Sequence, residues 1–305
     1  MRRLASACAF ALLLGLWPGA WAHAGALRFC DQAAALNAEQ KDLLLRFGAI
    51  VKTALEDSGQ DLALIARSGL DLGRFGVRYS HAGLSLKASL NTPWSVRQLY
   101  YACDEGRPRV FDQGMAGFVL GLNDPTIGYV SVVLLPAAAA AALEGTALDN
   151  RRALQALGPA YSANAYAFGL RYQNCNQWVI EMMATAWGRL DRSGEGDDDL
   201  RGRAQRWLAD QNYRPSVFEV GAPLMWLGAF IPWVHNDDHP NADIERATYR
   251  TSMPASIEAF VQATVPGATR VEFCHSGPRV VIHRGWDAIA EDCQPGEHDA
   301  VVMLE

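Results

Sequence analysis

The 305-residue chain has no apolar run long enough to cross a bilayer, no basic patch interleaved with aromatics, and no internal repeat. A spanning helix needs about 20 consecutive apolar residues. The two longest apolar runs are Leu4 to Leu16 and the segment GAPLMWLGAFIPWV at 221–234. The second also holds Pro223 and Pro232, which interrupt helical geometry, so it reads as a core segment or the wall of a groove. With 27 basic against 33 acidic residues and no basic stripe, nucleic acid is excluded as a partner.

Cysteine is scarce and its count is informative. The opening MRRLASACAFALLLGLWPGAWAHAG has a basic start at Arg2 and Arg3, a short apolar stretch, a break at Pro18-Gly19, and small residues at Ala20 and Ala22. That is the order of a secretory signal peptide. Cleavage is expected after Ala22, with Ala24 as second choice; the competing reading is an uncleaved anchor. The remaining chain, 23–305, would carry 25 basic and 33 acidic residues, a formal charge near −8. Cys8 would leave with the signal, so Cys30, Cys103, Cys175, Cys274 and Cys293 enter an oxidising compartment. Five thiols leave at least one outside any intrachain bridge. Cys274 and Cys293 lie close together near the C-terminus, and Cys30 and Cys103 remain for a second pair, although spacing leaves the connectivity open. Cys175 is the natural odd one.

The patterning predicts α+β order. Residues 37–59 repeat apolar positions at helical spacing and stop at Gly59. DLALIARSG, 75–87, WSVRQLYYACD and 129–136 read as strands, the last buried on both faces. Pro136 opens an alanine-rich helix. A helix over 175–187 follows, capped by Asn174. An acidic loop at 191–202 leads to a helix near 200–211. PASIEAFVQAT forms another helix, and TRVEFCHSGPRVVIH closes as a hairpin. The core is expected over about 60–190, with 191–305 as a C-terminal helical and hairpin extension of a single domain.

Two residues carry the clearest chemistry. Cys175 sits at a helix start, where unpaired N–H groups and partial positive charge favour a thiolate and can cradle an oxyanion. The bland alternative is a small buried core residue. His81, in YSHAGLSLK, shares a strand face with Tyr79, Gly83 and Ser85, opposite Ser80, Ala82, Leu84 and Leu86. It could activate a thiol or be a surface histidine. In WVHNDDHPNAD, His235 and His239 have the spacing of a zinc-binding pair, but Asn236 stands where the base should be and Pro240 disfavours the helix. No metal site is expected, and GEGDDDLRG misses the calcium-loop spacing. The nine tryptophans could line a groove, but more often such residues are core.

His81-Ala82-Gly83 followed far downstream by Asn174-Cys175 resembles the circularly permuted branch of the NlpC-type papain-like hydrolases, which includes lecithin:retinol acyltransferase and bacterial relatives. The motifs cover roughly 60–190, and the C-terminal third has no counterpart. The whole chain also resembles the bacterial domain-of-unknown-function family 2145. The first resemblance implies a permuted papain-like fold, an antiparallel sheet packed against helices. It also implies a Cys175 nucleophile, a His81 base and a polar residue on the next strand orienting the histidine. Gln98 is the choice there, because an amide oxygen accepts from an imidazole N–H; histidine is the commoner residue in the family. Oxyanion or substrate contacts would come from the Cys175 backbone with Gln173, Tyr79 or Asn174. The implied function is a secreted or periplasmic cysteine hydrolase or acyltransferase. It would act on an amide, ester or thioester of the cell envelope, such as a peptidoglycan peptide or an acyl lipid, with no cofactor. The alternative is a non-catalytic binding protein on the same fold.

Overall fold

In the computed structural model, residues 36–190, 200–228 and 230–304 are described. The expected signal peptide, its cleavage site, Cys30 and most of the acidic loop lie outside them.

An eight-stranded antiparallel sheet lies between two helical layers. Helix α1 (Ala38–Asp57) is opened by a capping box in which Asn37 Oδ1 accepts from Gln40 N and Gln40 reaches back. Strands β1 (Leu62–Arg67), β2 (His81–Leu86), β3 (Ser95–Ala102) and β4 (Arg107–Gln113) follow, then α2 (Met115–Val119) and β5 (Ile127–Leu134). Next come α3 (Ala137–Leu148), α4 (Asn150–Gln155), the short β6 (Ala160–Tyr161) and β7 (Tyr172–Gln173), and α5 (Cys175–Trp187). The chain continues through α6 (Leu200–Asp210), β8 (Ser216–Glu219), α7 (Ala222–Gly228), α8 (Asn241–Glu245), β9 (Thr248–Thr251) and α9 (Pro254–Thr264). It ends in β10 (Thr269–Ser276), β11 (Arg279–Arg284) and β12 (Ala300–Met303). The strand order is β12-β11-β10-β5-β1-β2-β3-β4.

Alternation sorts the strands onto two buried faces. On one, Leu62, Leu64, Leu84, Leu86 and Val133 pack against α3, α5, α6 and α9. On the other, Ala63, Ile65, Val96, Val130 and Phe273 pack under α1 and α2. Strands covered on both sides lose the apolar-polar alternation of a half-exposed sheet, which is why 129–136 reads as one apolar run.

Several expectations need correction. Strand β2 begins at His81, not Phe75, because residues 73–75 form a tight turn closed by Gly76 at φ +68°. Strand β4 was not anticipated; Pro108 masks it, and β4 tolerates proline because it is the sheet edge. The C-terminal hairpin is no appendage: β10 pairs with β5 over eight residues, so 269–303 completes the sheet. Cys274 and Cys293 form the expected disulfide. Cys103 is also disulfide-bonded.

Segment 221–234 is not core. Trp226, Leu227, Phe230 and Ile231 are exposed, because the seven-residue α7 buries only Met225 and Gly228. Trp94 and Trp178 do lie in the core.

One core residue is out of keeping with its surroundings. His275 on β10 is fully buried, packs on Phe47 with ring centroids 4.9 Å apart, and neither ring nitrogen has a hydrogen-bond partner. Burial lowers its pKa to about 4; the Gly277 backbone and Asp124 pull the other way without completing a hydrogen bond to the ring. Replacing a buried, unsatisfied polar group with an apolar one of similar size removes a desolvation cost of about 1–3 kcal/mol. His275→Leu is therefore expected to raise the free energy of unfolding by about 1 kcal/mol, measured by urea titration at pH 7. An unchanged or lower midpoint would show that the imidazole has a compensating partner.

Candidate functional site

The candidate site is built where β2 and β3 part company. Their ladder holds only three pairs, Leu84↔Arg97, Ser85↔Val96 and Leu86↔Ser95, so the His81 end of β2 is unzipped from β3. Gly83 permits a close cross-strand approach. A Cβ there would stand 2.4 Å from Val96 Cγ1, 3.0 Å from the Arg97 carbonyl oxygen and 3.3 Å from Gln98 Cβ. Gln98 can thus lie beside His81, with His81 Nε2 and Gln98 Oε1 2.8 Å apart. Gln98 Nε2 donates to Gln113 Oε1 on β4 at 2.7 Å, which leaves Oε1 as the acceptor facing the imidazole. His81 Nε2 then carries the proton, and Nδ1 keeps its lone pair.

His81 does face away from the apolar set Ala82, Leu84 and Leu86, but the other face is covered too. It is only 3% exposed, which rules out a surface histidine. Its ring packs on Tyr100 at 4.5 Å and near Phe118 at 6.2 Å, and β1 places Arg67 directly opposite it. Arg67 is also buried, donating to Tyr100 OH at 2.8 Å and to the Gly121 carbonyl. Desolvation, reinforced by the Arg67 charge, lowers the His81 pKa to about 3 against the opposing hydrogen bond to Gln98. The imidazole is therefore neutral at pH 7.

This has a consequence for acid stability. In the unfolded chain both His81 and His275 titrate near 6.5, whereas folded they titrate near 3 and 4. Between these values the unfolded state binds more protons, so stability falls as pH drops. The contribution is intact above about pH 6.5 and is lost progressively down to about pH 3, by several kcal/mol in total. Urea midpoints measured across that window should decline, and His275→Leu should flatten the part above pH 4. A flat profile would contradict the burial of both imidazoles.

Cys175 is the first residue of α5 and is 7% exposed. It is a thiol, outside any disulfide. Asn174 caps the helix, its Oδ1 accepting from Gln177 N at 2.7 Å. Its Nδ2 donates to Thr251 Oγ1 at 2.8 Å and to the Ser252 carbonyl at 3.3 Å, tying the helix start to the end of β9. Asn176 was not singled out from the sequence. Its Nδ2 donates to the Ser80 carbonyl at 3.0 Å, clamping the first turn of α5 to the residue before His81. The run of amide side chains around Cys175, Gln173, Asn174, Asn176 and Gln177, is the available signal.

A cavity of about 120 Å³ has both Cys175 and His81 in its wall. Ser80, Asn174 and Asn176 supply polar edges, while Leu70, Leu99, Tyr161, Trp233 and Met253 make the rest largely apolar. α5 packs on the Ala82–Leu84 face, and the imidazole lies near Phe118 of α2.

Two expected contact residues are placed elsewhere. The Gln173 amide is occupied at both ends: Nε2 donates to Glu181 Oε2 at 2.6 Å and to the Ala156 carbonyl at 2.8 Å, and Oε1 accepts from Gly158 N at 2.7 Å. It is fully buried behind the helix start. Tyr79 lies before β2 and donates to Glu272 Oε1, in a buried group with Arg78 and Arg270. Period-two alternation cannot be extended through a residue that is not in the strand. Asn174 does line the cavity, but its amide is occupied as cap and tether. His235 stacks on Tyr172 and His239 Nε2 meets the Asn164 carbonyl at 2.7 Å. Among the described residues no three His, Cys, Asp or Glu side chains cluster as a metal site.

No curated protein and no solved structure matches the chain. A family model described as an uncharacterized protein conserved in bacteria (DUF2145) matches residues 54–261, from the second half of α1 to α9, spanning the unzipped strands and the Cys175 helix start. The chain belongs to the DUF2145 family.

Proposed function

We propose that the protein is a cysteine-dependent hydrolase or acyltransferase with a permuted papain-like arrangement of its site, acting on an amide, ester or thioester. The observation that carries this reading is the shared cavity. A thiol at a helix N-terminus and an imidazole oriented by Gln98 form parts of one wall. In this mechanism, His81 Nδ1 takes the Cys175 proton as the sulfur attacks the acyl carbon. The first-turn backbone of α5 stabilises the oxyanion. Collapse of the tetrahedral adduct breaks the bond to the leaving group, which takes the proton from His81. Water or a second acceptor then resolves the thioester. With a pKa lowered to about 3 the resting imidazole is neutral but a weak base, and Arg67 disfavours a long-lived imidazolium. The setting is the cell envelope, after removal of the segment ending near Ala22, with peptidoglycan peptides or acyl lipids as substrates.

One observation favours a second reading, a binding protein. His81 is nearly inaccessible, only 3% exposed. Labelling with a thioester acyl probe, followed by peptide mapping, separates the two. Acylation of Cys175 that disappears in His81→Ala supports the enzyme. A native protein whose Cys175 resists both the probe and iodoacetamide supports the binding protein.

A further inference from the structure

The wall of the cavity shared by Cys175 and His81 contains a polar atom that the fold leaves unmatched. Asn176 is only 1% exposed, and its Oδ1 has no hydrogen-bond partner among the described residues. The orientation of this amide is fixed. Nδ2 donates to the Ser80 carbonyl at 3.0 Å and faces Met253 Sδ at 3.7 Å, and Ser80 and Met253 line the same cavity. A carbonyl oxygen and a thioether sulfur only accept. Turning the amide over would set Oδ1 against the Ser80 carbonyl and lose both contacts, so Oδ1 is the end held without a partner. The neighbouring polar groups of the wall are committed. Asn174 caps α5 with its Oδ1 and ties it to Thr251 with its Nδ2, and Ser80 Oγ accepts from Leu70 N at 2.7 Å. A buried acceptor left unmatched carries the full cost of its lost hydration, which most buried polar groups avoid.

A donor on the substrate would complete this atom, and the proposed reaction says which part of the substrate carries it. Asn176 directly follows Cys175 at the start of α5. The leaving group faces His81, which protonates it, whereas the acyl group stays on the sulfur beside residue 176. A hydrocarbon acyl chain would leave Oδ1 unmatched. An acyl group with an N–H on the carbon next to its carbonyl would satisfy it. Asn176 is no oxyanion donor: its Nδ2 is engaged by Ser80, and a lone-pair oxygen would repel the developing charge.

We propose that Asn176 determines specificity at this site: its Oδ1 accepts from an N–H carried by the acyl group, so the cavity selects N-acylaminoacyl groups, the acyl part of a peptide, over the hydrocarbon acyl groups of a lipid. This selection rests on Cys175 being the nucleophile of the proposed reaction.

Two thioesters that differ at one position test this: the S-ethyl thioesters of N-acetylglycine and of O-acetylglycolic acid, in which an ester oxygen replaces the N–H. Each passes its acyl group to the Cys175 sulfur and releases ethanethiol. Dividing each rate by the rate with 2-mercaptoethanol in solution removes the difference in intrinsic reactivity. The wild-type protein should capture the N-acetylglycyl group at least about tenfold faster, since a site that hydrogen-bonds an N–H rejects the analogue lacking it. Asn176→Ala should bring that ratio close to one, whatever the lost Ser80 clamp does to the two rates separately. A wild-type ratio near one overturns the proposal but leaves the nucleophile in place, because Cys175 is still acylated; this comparison needs no variant and decides even if Asn176→Ala does not fold. A preference that survives in folded Asn176→Ala overturns the proposal as well. If Cys175 takes up neither acyl group, the nucleophile reading fails and the selection by Asn176 fails with it.

Discussion

Cys175→Ala is expected to abolish acyl-probe capture, and His81→Ala to slow it by about 10²–10⁴-fold, the usual contribution of a positioned general base. The first follows from which atom forms the covalent bond: without the sulfur there is no thioester. The second follows from the neutral imidazole. Nε2 is held by Gln98, so Nδ1 is the nitrogen left to take the thiol proton. Rates of probe capture under single-turnover conditions measure both. Removing the His81 side chain also frees Gln98 and Tyr100, so the variant's fold should be checked by near-UV circular dichroism. If His81→Ala captures the probe at the wild-type rate while Cys175 is still the labelled residue, the thiol reacts without this histidine and the dyad is wrong. If the wild-type protein is not labelled either, the binding reading stands.

The larger expected effect on stability concerns Glu181, one turn and a half into α5. It is fully buried, and its carboxylate is saturated. Arg201 Nε donates to Oε2 at 2.8 Å and Arg201 Nη2 to Oε1 at 3.1 Å. Gln173, Gln177 and Gln205 donate at 2.6, 3.1 and 2.8 Å. This network joins α5 to α6 and to the strand before Cys175. Glu181→Leu leaves the Arg201 guanidinium buried without its counter-charge, a loss of about 3–5 kcal/mol. The double variant Glu181→Leu with Arg201→Met should recover part of it, because replacing both charges removes the uncompensated one. Urea unfolding of the three proteins gives the comparison. A single variant within about 0.5 kcal/mol of wild type would show that water or rearrangement reaches this site. Capture by Cys175 should weaken along with stability, since Gln173 precedes Asn174 and shares the network.

Much of this architecture is legible from local pattern. The helix at 175–187, its Asn174 cap, the alanine-rich helix after Pro136 and the hairpin around Gly277 depend on neighbours a few residues apart. There propensity, capping and turn chemistry act directly. The disulfide between Cys274 and Cys293 also joins residues close in sequence. The failures are of another kind. Tyr79 was assigned to a strand face by extending an alternation past the strand's true start. Gln173 was read as available because it neighbours Cys175, while its occupancy depends on Glu181 and Gly158. Composition makes segment 221–234 a core segment or the wall of a groove; only Trp233 lines the cavity, because burial of an apolar segment requires a partner surface, and α7 is too short to cover its own far side.

The sequence by itself determined the α+β class, the helix start that carries Cys175, and the strand that carries His81 with Gly83 beside it. Short-range chemistry selects those features, and it is written residue by residue. Only the tertiary structure decided that His81 is buried rather than exposed, that Gln98 reaches it, and that thiol and imidazole line one cavity. It alone placed Trp226 and Phe230 outside. Each of these depends on which surfaces the chain brings together across long separations, as when β10 returns to pair with β5. A one-dimensional pattern records the preference of a side chain for burial, not the presence of the partner that would bury it.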